Sequence, residues 1–212
     1  MKTDELIAFL ANGTIAVEPV GARRLVTGCG WGLAGTILLM ALLLGVRPDL
    51  ANAAHLPMFW AKLLMPALAG GLAFHLLRQL AIPGNRITVA PFALGLLLLI
   101  AVAGAAVALA GTPAGERVAL VLGSTWKTCV LNITVLSLPL LVAGFLAIRG
   151  MAPTRPVLAG GTAGILAGAT AAAVYALHCP EMTAPFLGIW YVLGVAVPTA
   201  IGAVLGKPLL QW

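Results

Sequence analysis

Charge is what this chain has least of. Among its 212 residues only 8% are Asp, Glu, Lys or Arg, against roughly 25% in a soluble domain. The mean hydropathy is +1.08. Water cannot solvate such a surface, which excludes a soluble enzyme, a disordered regulator and a nucleic-acid-binding domain. The 12 basic residues lie singly along the chain and form no basic patch. Carboxylates are scarcer still: six in all, none inside an apolar run. A proton-coupled transporter usually needs one there, so this absence argues against that class. Aromatics reach only 6%, and the apolar runs lack period-2 alternation, which argues against a β-barrel. No Walker motif, nucleophile elbow or HExxH is present, and no CxxC suggests structural zinc. Nothing in the sequence calls for an enzyme or a cofactor.

What remains is apolar and long. A spanning helix needs about 20 apolar residues, and six segments qualify: Leu25–Val46, Met58–Ala81, Val89–Gly111, Lys127–Ile148, Val157–Leu177 and Pro185–Gly206. Turn-forming clusters separate them, such as Arg47-Pro48-Asp49, Pro83-Gly84-Asn85-Arg86 and Pro153-Thr154-Arg155-Pro156. The expected fold is an all-α membrane protein with six transmembrane helices. Residues 25–212 form that domain, and residues 1–24 form an N-terminal segment.

With the N-terminus inside, the inner segments carry Lys2, Arg23, Arg24, Arg78, Arg86, Arg149, Arg155 and Lys207. The outer ones carry Arg47, Lys62, Arg117 and Lys127. This bias predicts that both termini are cytoplasmic. Val26-Thr27-Gly28-Cys29 resembles a lipoprotein cleavage box, but here the apolar run follows the cysteine rather than preceding it. The first helix is therefore expected to be retained.

Trp60, Trp126 and Trp190 open the second, fourth and sixth helices, and Arg23, Arg86 and Arg155 precede the first, third and fifth. Three helical hairpins on one plan would show this. The plainer reading, preferred here, is that Trp belongs to the interfacial belt and Arg to the inside. Gly160/Gly164/Gly168, Gly28/Gly32 and Gly202/Gly206 recur at spacing four, which puts each set on one helix face where backbones can approach closely. Pro66, Pro139 and Pro198 lie inside even-numbered helices and can kink them. In the N-terminal segment, Thr3 can cap a helix whose positive end suits Asp4 and Glu5, while Leu6, Ile7 and Leu10 share one side. So short an amphipathic helix needs lipid or a partner protein to rest on.

Three cysteines are present. Cys29 reads as a small core residue. Cys129 and Cys179 fall at one depth, near the outer ends of adjacent helices. They are open to three readings: a disulfide, a soft-metal pair joined by His178 and Glu181, or two unrelated buried thiols. Lys62 is expected to snorkel toward the outer interface.

Several runs resemble one family. Met1-Lys2-Thr3-Asp4-Glu5-Leu6-Ile7 is similar to the opening of NrsF-type proteins. Phe59-Trp60-Ala61-Lys62-Leu63, Ser137-Leu138-Pro139, Trp190-Tyr191 and the closing Leu209-Leu210-Gln211-Trp212 add to it. Most specific are Pro153-Thr154-Arg155-Pro156 and the run Tyr175-Ala176-Leu177-His178-Cys179-Pro180-Glu181. The resemblance implies an anti-sigma factor of the bacterial inner membrane. Such a protein holds an extracytoplasmic-function sigma factor at the cytoplasmic face and releases it on stress. Its partners would be that sigma factor and the bilayer, with no direct contact to nucleic acid. It also implies that Cys129 and Cys179 are the family's outward-facing sensing pair, and Cys29 receives no role. The alternatives are a small transporter or channel lined by Asn132, Thr134, His75 and Lys62, and a membrane redox or metal-handling protein built on Cys129, His178 and Cys179.

Overall fold

Proline and the apolar runs set the helices. Pro57, Pro91 and Pro156 sit in the first two positions of three of them, where the missing N–H has no helical partner to lose. The computed structural model describes residues 20–82, 84–151 and 153–211. Six helices are long and apolar enough to cross a membrane: α1 (Val20–Leu43), α2 (Pro57–Ala81), α3 (Ala90–Ala110), α4 (Trp126–Arg149), α5 (Pro156–Tyr175) and α6 (Val192–Leu210). The segment expected to carry the amphipathic helix of Thr3–Leu10 lies outside the described residues.

Three details differ from the sequence expectation. The helix α1 begins at Val20, five positions early. A separate helix, Ala114–Leu122, precedes α4 and breaks at Gly123, whose φ of +54° suits glycine. The sixth span enters through a short turn, Ala184–Phe186, and a π-helical turn, Leu187–Tyr191, before α6.

Contacts sort the helix ends into two sets. The C-terminal ends of α1 and α5 meet the N-terminal ends of α2 and α4: Arg47 N donates to the Leu177 carbonyl and Lys62 reaches Cys179. At the opposite end, Arg24 on α1 approaches Gly150 after α4, and Gly206 on α6 meets Pro156 on α5. The chain therefore runs up and down six times, and the start of α1 and the end of α6 share one end of the bundle.

Packing follows the hairpin order only at the last pair of helices. The most extensive contact is α5 on α6, followed by α2 on α5 and α1 on α4. Neither α1 with α2 nor α3 with α4 makes an extensive interface, so the first two pairs of sequence neighbours are not neighbours in the bundle. Small residues decide the arrangement. A Cβ on Gly160 would strike the Gly202 carbonyl, one on Gly164 the Pro198 carbonyl, and one on Gly206 the Pro156 carbonyl. On α1, a Cβ at Gly32 would meet Leu140 of α4 at 2.7 Å. Thr36 of α1 is fully buried and donates to the Leu136 carbonyl of α4 at 3.0 Å.

Candidate functional site

The connection after α5 leaves its carbonyls without helical partners, and Pro180 has no N–H to offer. Donors must come from elsewhere. Lys62, one turn into α2, supplies them: its Nζ donates to the Cys179 carbonyl at 2.6 Å and to the Glu181 carbonyl at 2.8 Å. The side chain is 1% exposed and lies 5.5 Å from the centre of the Tyr191 ring. This corrects the expectation that Lys62 snorkels. It points inward because buried carbonyls there need a donor. The first turn of α2 fixes its direction: the Trp60 indole donates to the Ala54 carbonyl at 2.9 Å, and Phe59 packs edge-on against Trp60 in the buried layer beneath.

Arg47 adds a second tether. Its Nη1 donates to the Cys179 carbonyl at 3.3 Å, while its Nε and Nη2 grip both oxygens of Asp49 at 2.6 Å. This fork holds the Asp49 carboxyl below the usual carboxylate range and the Arg47 guanidinium above its own. The third connection joins in as well. Glu181 Oε1 accepts from the Ser124 N–H at 2.7 Å and the Ser124 hydroxyl at 2.6 Å. Thr183 donates to the Leu120 carbonyl and the Trp190 indole to the Val121 carbonyl. The other two connections at this end are thus both tied to the segment 177–183.

Beneath this lid lie the two thiols. Cys129 and Cys179 are both unpaired and 0% exposed, and they share one buried cluster with Ile133, Tyr175, Phe186 and Tyr191. The Thr125 hydroxyl is 3.9 Å from Cys179 Sγ. The topology does put the pair at one end of the bundle. The lid covers both, so neither thiol is open at the surface. Of the three readings left open for the pair, the soft-metal one draws no support from its two neighbours. His178 turns its Nδ1 to the Gly45 carbonyl at 3.0 Å and Glu181 is spent on Ser124. Among the described residues no cluster of three or more His, Cys, Asp or Glu could hold a metal ion. Cys29 lies apart, packed against the cluster at the other end of α4 and α5.

The residues named for a transport path do not converge. His75 pairs with Gln79 at the far end of α2, Thr134 donates to its own helix at Val130, and Asn132 donates to the Tyr175 hydroxyl at 3.5 Å. Of the four, only Lys62 borders the cavity of about 350 Å³ between α2, α3, α5 and α6. Tyr191 borders it too, and its hydroxyl is buried with no hydrogen-bond partner among the described residues. The sequence assigns Arg47 and Tyr191 no site role, and it places Lys62 at the interface rather than inside. An ionisable residue inside a span is itself a functional signal, and Lys62 carries that signal.

Fold and site together define a multi-pass α-helical membrane protein whose distinctive feature is a covered pair of thiols under a lid pinned by Lys62 and Arg47. The chain belongs to the family described as NrsF, negative regulator of sigma F, whose profile matches residues 10–212. It is 50% identical over the full length of both chains to a probable anti-sigma-F factor NrsF of Azospira oryzae. It is 40% identical, again over both full lengths, to an anti-sigma-F factor NrsF of Caulobacter vibrioides. No solved structure matches.

Proposed function

We propose that this chain is an anti-sigma factor of the bacterial inner membrane, which sequesters an extracytoplasmic-function sigma factor at the cytoplasmic face and releases it on a stress signal. The observation that carries this reading is full-length likeness, at 50% and 40% identity, to two proteins named anti-sigma-F factors. The role is regulatory rather than catalytic. The excess of Arg and Lys at the end shared by the start of α1 and the finish of α6 supports both termini in the cytoplasm. The thiol end then lies outside. The N-terminal residues Thr3, Asp4, Glu5, Leu6, Ile7 and Leu10 supply part of the sigma-binding surface, since apolar residues beside an acidic start suit a partner groove.

The signal enters through Cys129 and Cys179. Two-electron oxidation of the pair by an external oxidant such as a peroxide, which takes the electrons while both thiol protons leave, forms a disulfide that joins α4 to the segment after α5, and that segment is held by Lys62, Arg47 and Ser124. A shift there pulls on α1, α2 and the connection before α4 together. Two bundle states of different affinity for the sigma factor are all that release requires.

The test is a pull-down from the native bacterium with a C-terminal tag and mild detergent. Unstressed cells are expected to yield a sigma factor in stoichiometric amount, and stressed cells to lose it. The Cys129→Ser/Cys179→Ser double variant is expected to retain the sigma factor through stress. Release from that variant sinks the thiol mechanism and leaves the anti-sigma role standing. Absence of any sigma factor from unstressed cells sinks the role itself.

A further inference from the structure

We propose that the two buried thiols have unequal roles: Cys179 is the thiol that attacks the oxidant, Lys62 and Tyr191 are the groups that support the attack, and Cys129 is the thiol that closes the disulfide. This rests on the disulfide reading above and adds to it an order of events and two further residues.

The polar groups under the lid gather at one sulfur. Lys62 is buried, and its Nζ donates to the Cys179 carbonyl at 2.6 Å and to the Glu181 carbonyl at 2.8 Å. An ammonium carries three protons, so one is left after these two bonds. Among the described residues no carboxylate forms an ion pair with it. The one salt bridge is Arg47 with Asp49, and Glu181 turns its carboxylate to Ser124. A buried cation held only by carbonyl dipoles favours a neighbouring anion. The neighbour able to become one is the Cys179 side chain, which lies against the Lys62 side chain. Tyr191 is 6% exposed, and its hydroxyl has no hydrogen-bond partner among the described residues. The side chain beside that hydroxyl is again Cys179. On the third side the Thr125 hydroxyl stands 3.9 Å from Cys179 Sγ.

Cys129 has different surroundings. It sits on α4 in the same buried cluster, with Ile133 and Leu136 on its own helix. Among the described residues no hydroxyl or ammonium is bonded to its sulfur. The backbone differs as well. Cys129 is fixed in the hydrogen-bond ladder of α4, whereas Cys179 lies in a connection, next to the exposed Pro180. Parting of the Glu181–Ser124 contact loosens the cover on the α4 side and leaves Lys62 on the Cys179 carbonyl. Cys179 is thus the thiol that a small oxidant meets first, and it meets it with a cation and a free hydroxyl at hand.

With a peroxide as oxidant, the Cys179 sulfur attacks one peroxide oxygen. An S–O bond forms, the O–O bond breaks, and two electrons pass from sulfur to the peroxide. The thiol proton leaves with the departing oxygen as water, and Cys179 is left as a sulfenic acid. Negative charge developing along this path faces the Lys62 ammonium and the Tyr191 O–H, fixed donors that need no rearrangement. The Cys129 sulfur then attacks the Cys179 sulfur. The S–S bond forms, the S–O bond breaks, and the Cys129 proton leaves with the hydroxyl as a second water.

The experiment uses the full chain, reduced, in phospholipid nanodiscs with hydrogen peroxide. Sulfenic acid is trapped with dimedone and located by peptide mass spectrometry. Cys129→Ser is expected to give the adduct on Cys179, and Cys179→Ser to give it on Cys129 at least about tenfold more slowly. In the Cys129→Ser background, Lys62→Met is expected to slow trapping about tenfold, Lys62→Arg to restore part of the rate, and Tyr191→Phe to slow it by a smaller factor. A purely structural role for Lys62 predicts the opposite sign, since a loosened lid speeds reaction at either cysteine. Equal or faster trapping at Cys129 overturns the proposal without relying on Lys62, and a normal wild-type disulfide in that case leaves the disulfide reading standing. An unchanged or raised rate at Cys179 in a folded Lys62→Met protein overturns it too. Absence of adduct from both single variants, with no disulfide in the wild type, overturns the proposal together with the reading beneath it.

Discussion

The helices α5 and α3 are of nearly equal length, 20 and 21 residues, and both are apolar throughout. Their fates differ. In its most apolar window α5 is 78% buried and α3 only 6%, although α3 is the more hydrophobic of the two, with a mean hydropathy of 2.7 against 1.7. In water the ranking would be reversed. In a bilayer the lipid is as apolar as Leu, so hydrophobicity draws no helix inward, and close backbone approach does. Glycine alone does not suffice either. Gly95 and Gly104 on α3 face open space, with no atom within 4 Å of an added Cβ, whereas Gly160, Gly164 and Gly168 on α5 lie against the α6 backbone. The difference is a matched surface. Gly202, Gly206 and Pro198 on α6 meet the α5 stripe at the same spacing, whereas α3 has a single close glycine contact, Gly188 against Ala101 and Ala105, and no matched stripe.

The largest effect is expected where that match is tightest. Gly164→Leu drives a side chain into the Pro198 carbonyl and the Thr199 backbone, neither of which can rotate away. A loss of about 3 kcal/mol is expected, read as a fall in the midpoint of unfolding when dodecyl sulfate is titrated into mixed micelles. A change below about 1 kcal/mol would mean that the α5–α6 seam is loose, and the contrast with α3 would collapse. The α1–α4 seam sits between the extremes. There the approach is set by Gly32 and sealed by the buried Thr36 hydroxyl, which is shared between the Leu136 and Gly32 carbonyls. Thr36→Val keeps the shape and removes the donor. About 0.6 kcal/mol is expected on the same titration, the usual worth of one interhelical hydrogen bond in lipid.

The same logic separates what could be read from the sequence from what could not. Six spans were legible because each apolar run is continuous and each gap carries breakers such as Arg47-Pro48-Asp49. The glycine stripes were legible as packing faces, but not their partners: nothing in the sequence says that α1 lies on α4 rather than on α2. Cys129 and Cys179 could be placed at one depth by counting residues from the span ends. Their burial could not, because it depends on three connections folding over them. Lys62 shows the limit most clearly. A lysine one turn into a span has two outlets, water at the interface or buried acceptors. The acceptors here are carbonyls at Cys179 and Glu181, more than a hundred positions away. His178 and Glu181 lie beside Cys179 in sequence, yet each is claimed by a different connection, Gly45 for one and Ser124 for the other. Adjacency along the chain therefore overstated the metal site.

The smallest effect is the sharpest test of the comparison, because it repeats the largest substitution on the other helix. Gly104 on α3 is exposed, and a Cβ there meets nothing within 4 Å. Gly104→Leu therefore adds a side chain that passes from one hydrocarbon surroundings to another, with no change in apolar burial to drive it. It also replaces the residue with the highest backbone entropy in a helix by one of the lowest. The two contributions leave a change within about 0.5 kcal/mol, on the stabilising side if resolved at all. The same chemical change is thus expected to cost about 3 kcal/mol on α5 and close to nothing on α3. A loss at Gly104 comparable to that at Gly164 would mean that α3 has a protein partner on its outer face. In that case the exposed residues Leu96, Leu99 and Ile100 would be an interface between chains rather than a surface for lipid.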